Sequence, residues 1–163
     1  MAQDSHNSQH DMVTLSIIDR IVGDEADVPA TRREAVAHLK RNVRRDLEWL
    51  LNTRRNPEAA GKEFPELERS VFNYGLPDFT AMSVLSNRER NSLLRALGDC
   101  IAYFEPRLKQ VRVQLRNEPT ATHRTLQFQI EGLLMMDPAP ERISFDTTYQ
   151  MTSGEYQVRG EAS

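Results

Sequence analysis

Phe104-Glu105-Pro106-Arg107-Leu108 divides this chain into two parts with different hydrophobic periods. Before it, apolar residues recur every three or four positions, as on a helix; after it they alternate, as on a half-buried strand. Pro106 explains why the change falls here. Its ring fixes φ and it has no amide hydrogen to donate, and it pushes the preceding Glu105 towards an extended conformation. Side chains two apart in an extended segment point the same way. Glu105 and Arg107 therefore project together, with Phe104 and Leu108 turned inward as anchors. This puts a pair of opposite charges at the seam of an α+β domain. Two readings are open: an ion pair that stiffens the seam, or an interface element. Composition alone favours the brace.

Upstream, the first strong helix starts at Thr31, a good N-cap, with Glu34 placed for a capping box. Val36, Leu39, Val43, Leu47 and Leu50 form its apolar stripe. Arg32, Arg33, Lys40, Arg41, Arg44 and Arg45 make much of its other surface basic, a solvated or partner-facing side. The helix ends near Asn52-Thr53. Residues 64–78 are apolar but broken by Pro65, Gly75 and Pro77, so this irregular stretch is expected to pack on the domain. Gly75 suits positive φ and Pro77 blocks continuation. A second helix begins near Ser86, with Glu89 placed for another capping box, and carries Leu93, Leu94, Leu97, Ile101 and Phe104.

Downstream, Val111, Val113 and Leu115 alternate with polar residues, as do Leu126, Phe128 and Ile130. They predict an antiparallel hairpin with its turn at 117–124. Asp137-Pro138-Ala139-Pro140 marks the next turn, followed by a strand at 143–147. Tyr149 and Met151, then Tyr156 and Val158, flank a tight turn at Ser153-Gly154. The fold class is thus α+β: N-terminal helices, then an antiparallel meander of about four strands. Residues 1–13 read as a disordered tail, 14–30 as a short amphipathic helix with a linker, and 31–160 as one domain.

The composition restricts function. The formal net charge of −3 gives no basic footprint for nucleic acid. No apolar run approaches the roughly 20 residues of a membrane span, and the polar N-terminus lacks the regions of a signal peptide, which fits a cytoplasmic protein. The single cysteine, Cys100, fits a reducing compartment and reads as a small buried hydrophobe. His6, His10, His38 and His123 do not cluster at metal-ligand spacing, so no metal is expected. No Walker loop, dinucleotide fingerprint or Gly-x-Ser-x-Gly elbow is present, so neither cofactor nor catalytic site is expected. The 24 acidic residues supply many carboxylate pairs by chance. Glu105 alone has a singular setting, and Arg107 beside it favours the ionised form, which opposes a general-acid role but not a nucleophilic one.

Several segments occur in a telling order: Asp46-Leu47-Glu48-Trp49-Leu50-Leu51-Asn52-Thr53-Arg54-Arg55, Ser70-Val71-Phe72-Asn73-Tyr74-Gly75-Leu76-Pro77-Asp78-Phe79, Phe104-Glu105-Pro106-Arg107-Leu108, and closing strands with Phe145-Asp146-Thr147. In this the chain resembles the TssE and gp25-like family, wedge proteins of type VI secretion baseplates and contractile phage tails. The resemblance covers residues 15–158. It implies a non-enzymatic assembly protein at a membrane-docked baseplate on the cytoplasmic side. It implies docking on the wedge subunits TssF, TssG and TssK through Glu105, Pro106 and Arg107, and seeding of a sheath of TssB and TssC. The family has also been labelled lysozyme-like, so murein hydrolysis is the alternative. The resemblance shifts the balance from brace to interface. The pair is expected to be exposed, so that Arg107→Ala leaves the domain folded. A last expectation concerns the strands at 143–147 and 149–158. Their edge carries few lysines and is expected to stay open for a sheath strand, with Gln157 as the position to test.

Overall fold

The computed structural model describes residues 21, 31–57, 65–68, 70–79, 82–83, 86–117 and 125–160. The expected tail at 1–13 lies outside the described residues. So do the segment at 14–30, apart from an exposed Ile21, and residues 118–124 of the first hairpin turn, with His123.

Helix α1 spans Arg32–Asn52, α2 is the single turn Pro65–Glu68, a 3-10 turn covers Val71–Asn73, and α3 spans Asn87–Phe104. Strands β1 (Leu108–Leu115), β2 (Thr125–Leu134), β3 (Glu141–Gln150) and β4 (Glu155–Arg159) follow. They form one antiparallel sheet in the order β1-β2-β3-β4. The meander predicted from period-two patterning is therefore present. One strand is longer than its pattern predicts: β3 runs on to Gln150, so Tyr149 belongs to it and stacks across the ladder on Tyr156 of β4, with centroids 4.5 Å apart.

The Thr31 box closes in both directions at 3.3 Å. The second box is only half formed. Ser86 accepts from the Glu89 amide, but the Glu89 carboxylate takes the Ser83 amide at 2.6 Å. The helix start is fixed either way, because the N-cap arm alone satisfies one of the orphan amides.

Both helices cover one face of the sheet, α3 along β1 and α1 along β4. Even-numbered β2 residues and odd-numbered β3 residues face them, so Leu126, Phe128 and Ile130 meet Ile143, Phe145 and Tyr149 in the core. The predicted helix stripes hold at Val43, Leu47, Leu50, Leu93, Leu97 and Ile101. The core also takes Ala35 and Leu51, while Val36 and Leu39 are only half-buried. The apolar stretch before Asp78 packs on the domain at its end, through Leu76 and Tyr74. Val71, however, is 88 % exposed and Phe72 and Leu67 are partly exposed; among the described residues of the stretch Leu76 alone enters the core, with Tyr74 packed against it.

The Leu76 attachment depends on Gly75. Leu76 donates to the Thr53 carbonyl and accepts from the Arg55 amide, both at 2.8 Å, docking the loop on the end of α1. Beneath it the Cys100 thiol donates to the Gly75 carbonyl at 3.4 Å. Burial raises the Cys100 pKa from its ordinary 9.0 to about 11, partly offset by the Gly75 contact and by Arg55. The thiol is therefore protonated and inert at neutral pH. Because the folded-state value is raised, this contribution to stability is fully present below pH 9 and lost as pH rises towards about 11. We expect the urea midpoint to fall across that window, and to fall less in Cys100→Ala. Rapid reaction of the folded protein with a thiol reagent at neutral pH would contradict this.

Candidate functional site

The hinge works as the sequence requires, but its carboxylate is buried while Pro106 stays exposed and Arg107 half-exposed. Glu105 is the C-cap of α3, in a non-helical conformation, and its amide still bonds the Ile101 carbonyl at 2.9 Å. Its own carbonyl accepts from Leu108 at 3.1 Å, closing the turn around Pro106. Leu108 anchors in the core as expected, and Phe104 packs edge-on against Tyr74.

Glu105 and Arg107 do project together. Arg107 Nε donates to Glu105 Oε1 at 2.6 Å and Nη2 donates to Oε2 at 2.5 Å, a two-toothed clasp. The Arg107 backbone amide adds a bond to Oε1 at 3.3 Å. However, Glu105 is only 4 % exposed. The sequence expectation of an exposed pair therefore fails at Glu105: its carboxylate turns inward, Arg107 is half-exposed against Asp46 of α1, and Pro106 is the exposed member of the motif.

A third residue completes the unit. Asp46 of α1 accepts from Arg107 Nη2 through Oδ2 at 2.6 Å. Its other oxygen accepts from Arg45 Nε at 3.3 Å, and the Arg45 guanidinium lies 5.0 Å from the Trp49 ring centroid. Trp49 is half exposed. Asp46 opens the first of the segments that carry the family resemblance, but no spacing rule links it to a residue 61 positions away. The carboxylates raise the Arg107 pKa further above its ordinary value, the Glu105 bond most strongly; burial opposes this and Asp46 adds to it. The guanidinium is thus a permanent cation shared by two acids. Met135 at the end of β2 donates to the Arg107 carbonyl at 2.8 Å, so the clasp links α1, α3 and two strands.

This geometry suits a rigid turn better than hydrolysis. Both Glu105 oxygens are occupied by one cation, and the nearby Asp46 is bound to the same guanidinium. A glycosidase needs two carboxylates that flank a substrate. Among the described residues no group of three or more His, Cys, Asp or Glu could hold a metal ion. His38 is buried on α1 against Asn42 at 3.1 Å, away from the hinge. No helix among the described residues is long and apolar enough to cross a membrane.

The two edges of the sheet are unequal. On β4, the Tyr156 amide donates to Asn52 Oδ1 at 2.9 Å and the Tyr156 carbonyl accepts from Asn52 Nδ2 at 2.8 Å. The Asn52 side chain thus mimics the next strand. Arg44 takes the Val158 carbonyl at 3.2 Å. The expected open edge on the last strand is therefore closed by α1. Gln157 is also the wrong residue to test, since alternation turns its backbone towards Thr148 of β3. β1 forms the other edge. There the Arg116 amide bonds the Gln127 carbonyl, so alternation directs the Val113 and Leu115 backbone groups outward.

The site is thus a helix pair feeding an antiparallel meander through a clasped Glu-Pro-Arg hinge. Residues 37–139 match the family described as Baseplate wedge protein gp25. The chain belongs to that family, one of structural baseplate components. It is also 32 % identical over 107 residues to the anti-adapter protein IraD of Salmonella arizonae, a match covering 66 % of this chain and 76 % of that protein. A chain of a solved structure, the baseplate complex from the type VI secretion system, aligns with a TM-score of 0.47 and 17 % identity, covering 77 % of this chain and 97 % of that one.

Proposed function

We propose that this chain is a wedge subunit of a type VI secretion baseplate. In this reading it docks on TssF, TssG and TssK on the cytoplasmic side of the membrane-docked baseplate and seeds a sheath of TssB and TssC. The carrying observation is the family match across α1, α3, the hinge and β2. The motif divides its work: Glu105 and Asp46 hold the Arg107 guanidinium in one orientation, and Pro106 and the exposed part of Arg107 meet the partner. A partner then meets a preformed turn and need not order it on binding.

Sheath seeding is assigned to the β1 edge. The Val113 and Leu115 groups that face outward are the kind that pair with an added strand. Co-expression with TssF, TssG and TssK should give a complex containing the full-length chain; its absence from that complex would overturn the wedge reading. Val113→Pro removes one outward amide without touching the internal ladder. Tagged sheath should then stay diffuse while baseplate foci persist, and normal sheath growth would overturn strand addition. For the lysozyme-like alternative, release of murein products that stops in Glu105→Gln would count against a purely structural role. The IraD relative supports a second reading, a regulator that opposes an adapter protein. A stable complex with an adapter, and none with the wedge subunits, would favour it.

A further inference from the structure

The start of β1 carries a β-bulge. Register shifts between Lys109 and Arg112, and Gln110 adopts φ of +54°, which non-glycine residues rarely take. Gly132 on β2 accommodates it: a Cβ there would lie 3.3 Å from the Lys109 carbonyl oxygen. Bulges re-aim side chains and recur beside functional sites. This one borders a hollow of about 70 Å³ lined by Gln110, Arg112, Glu131, Gly132, Leu133 and Arg142.

The hollow opens on the sheet face that the helices leave bare. Lys109, Leu133 and Arg142 form one cross-strand row there, and Arg112, Glu131 and Ser144 the next. Lys109, Arg112 and Arg142 are exposed, and none has an ion-pair partner among the described residues. Glu141, next to Arg142, is taken by Lys40 at 2.7 Å. Among the described residues of these two rows, Glu131 is the one acid beside three cations. Leu133 is half-buried among them, and Met135, just past the end of β2, bonds the hinge carbonyl and is 47 % exposed.

We propose that this corner is a recognition site for an acidic protein segment, with carboxylates on Arg112 and Arg142 and an apolar side chain on Leu133 or Met135. Two guanidiniums favour carboxylate by charge-assisted, two-toothed bonding. Leu133 and Met135 favour a protein segment over nucleic acid. The site is continuous with the hinge, so its partner is a subunit that also meets Pro106. Only that assignment of the partner's source rests on the wedge reading.

The test uses full-length protein in two arms. In the first, hexaglutamate is titrated by NMR, with hexaglutamine and a duplex oligonucleotide as controls. Shifts should centre on Lys109, Gln110, Arg112 and Arg142. R112E/R142E should abolish them with the domain still folded and the melting temperature lowered by only a few degrees, because both residues are exposed and the one new repulsion is Glu131 across the ladder from position 112. E131Q should strengthen binding by roughly the several-fold expected when a like charge is removed. No shift with hexaglutamate, equal shifts in R112E/R142E, or binding of the oligonucleotide instead would overturn the proposal. In the second arm, R112E/R142E should weaken co-purification with the wedge subunits by about tenfold or more, the scale of one lost charge-assisted contact. Undiminished co-purification would overturn the assignment to the wedge. If hexaglutamate binds as expected but the wild-type chain joins no wedge complex, the wedge reading fails and the acidic-segment site stands.

Discussion

Arg107→Ala is expected to destabilise the domain by roughly 3–5 kcal/mol, the range for removing one partner of a buried pair. The reason is the state in which it leaves Glu105. That carboxylate is 4 % exposed and receives three of its hydrogen bonds from Arg107. Without Arg107 it must either remain charged and poorly solvated or take up a proton. Asp46 loses its 2.6 Å bond to the same guanidinium, but its greater exposure lets water replace the loss. Chemical denaturation should show the loss directly, and the midpoint of thermal unfolding should fall by roughly 2–4 °C per kcal/mol. Adding Glu105→Gln should recover part of the stability, since the amide carries no charge to strand. Unchanged stability in Arg107→Ala would restore the picture of a surface pair with a purely interfacial role. Loss of wedge binding by this variant alone therefore cannot distinguish contact from misfolding; Arg107→Lys, which keeps charge but not the two-toothed geometry, is the better interface probe.

Gly75→Ala should be comparably damaging, at roughly 2–4 kcal/mol from backbone strain and displacement together. Gly75 sits at φ of +103°, and an added Cβ would lie 2.2 Å from the Thr53 carbonyl oxygen. That oxygen is backbone and accepts the Leu76 amide, so it has no rotamer by which to withdraw. The loop must lift from α1, exposing Leu76 and uncovering Cys100. Two readouts should move together in this variant: the unfolding midpoint falls, and the Cys100 thiol becomes reactive towards a labelling reagent. An alanine variant as stable as the wild type, with Cys100 still protected, would show that the turn can relax at little cost.

The sequence by itself determined the two helices and their starts, because Thr31 and Ser86 act on amides within one turn. It determined the meander, because alternation sorts residues onto two faces wherever one face is buried. It placed the helix-to-strand hinge at Pro106, whose ring is a local constraint, and the glycine turn into β4. The order of its motifs also pointed to the family that the match over residues 37–139 identifies. Tertiary structure decided the rest, since the remaining questions depend on which surfaces meet. Asp46 reaches Arg107 only because α1 lies across the hinge, and that contact makes a buried clasp of what local geometry describes as an exposed pair. The last strand has an edge that reads as open from its own residues, yet Asn52 and Arg44 close it from a helix about a hundred residues earlier in the chain. The Arg112–Arg142 corner exists because a bulge and two strand registers bring distant residues to one face. Caps, turns and periodicity act within a few residues and can be read in order along the chain; burial, edge protection and charge pairing are set by packing between segments that the order does not place together.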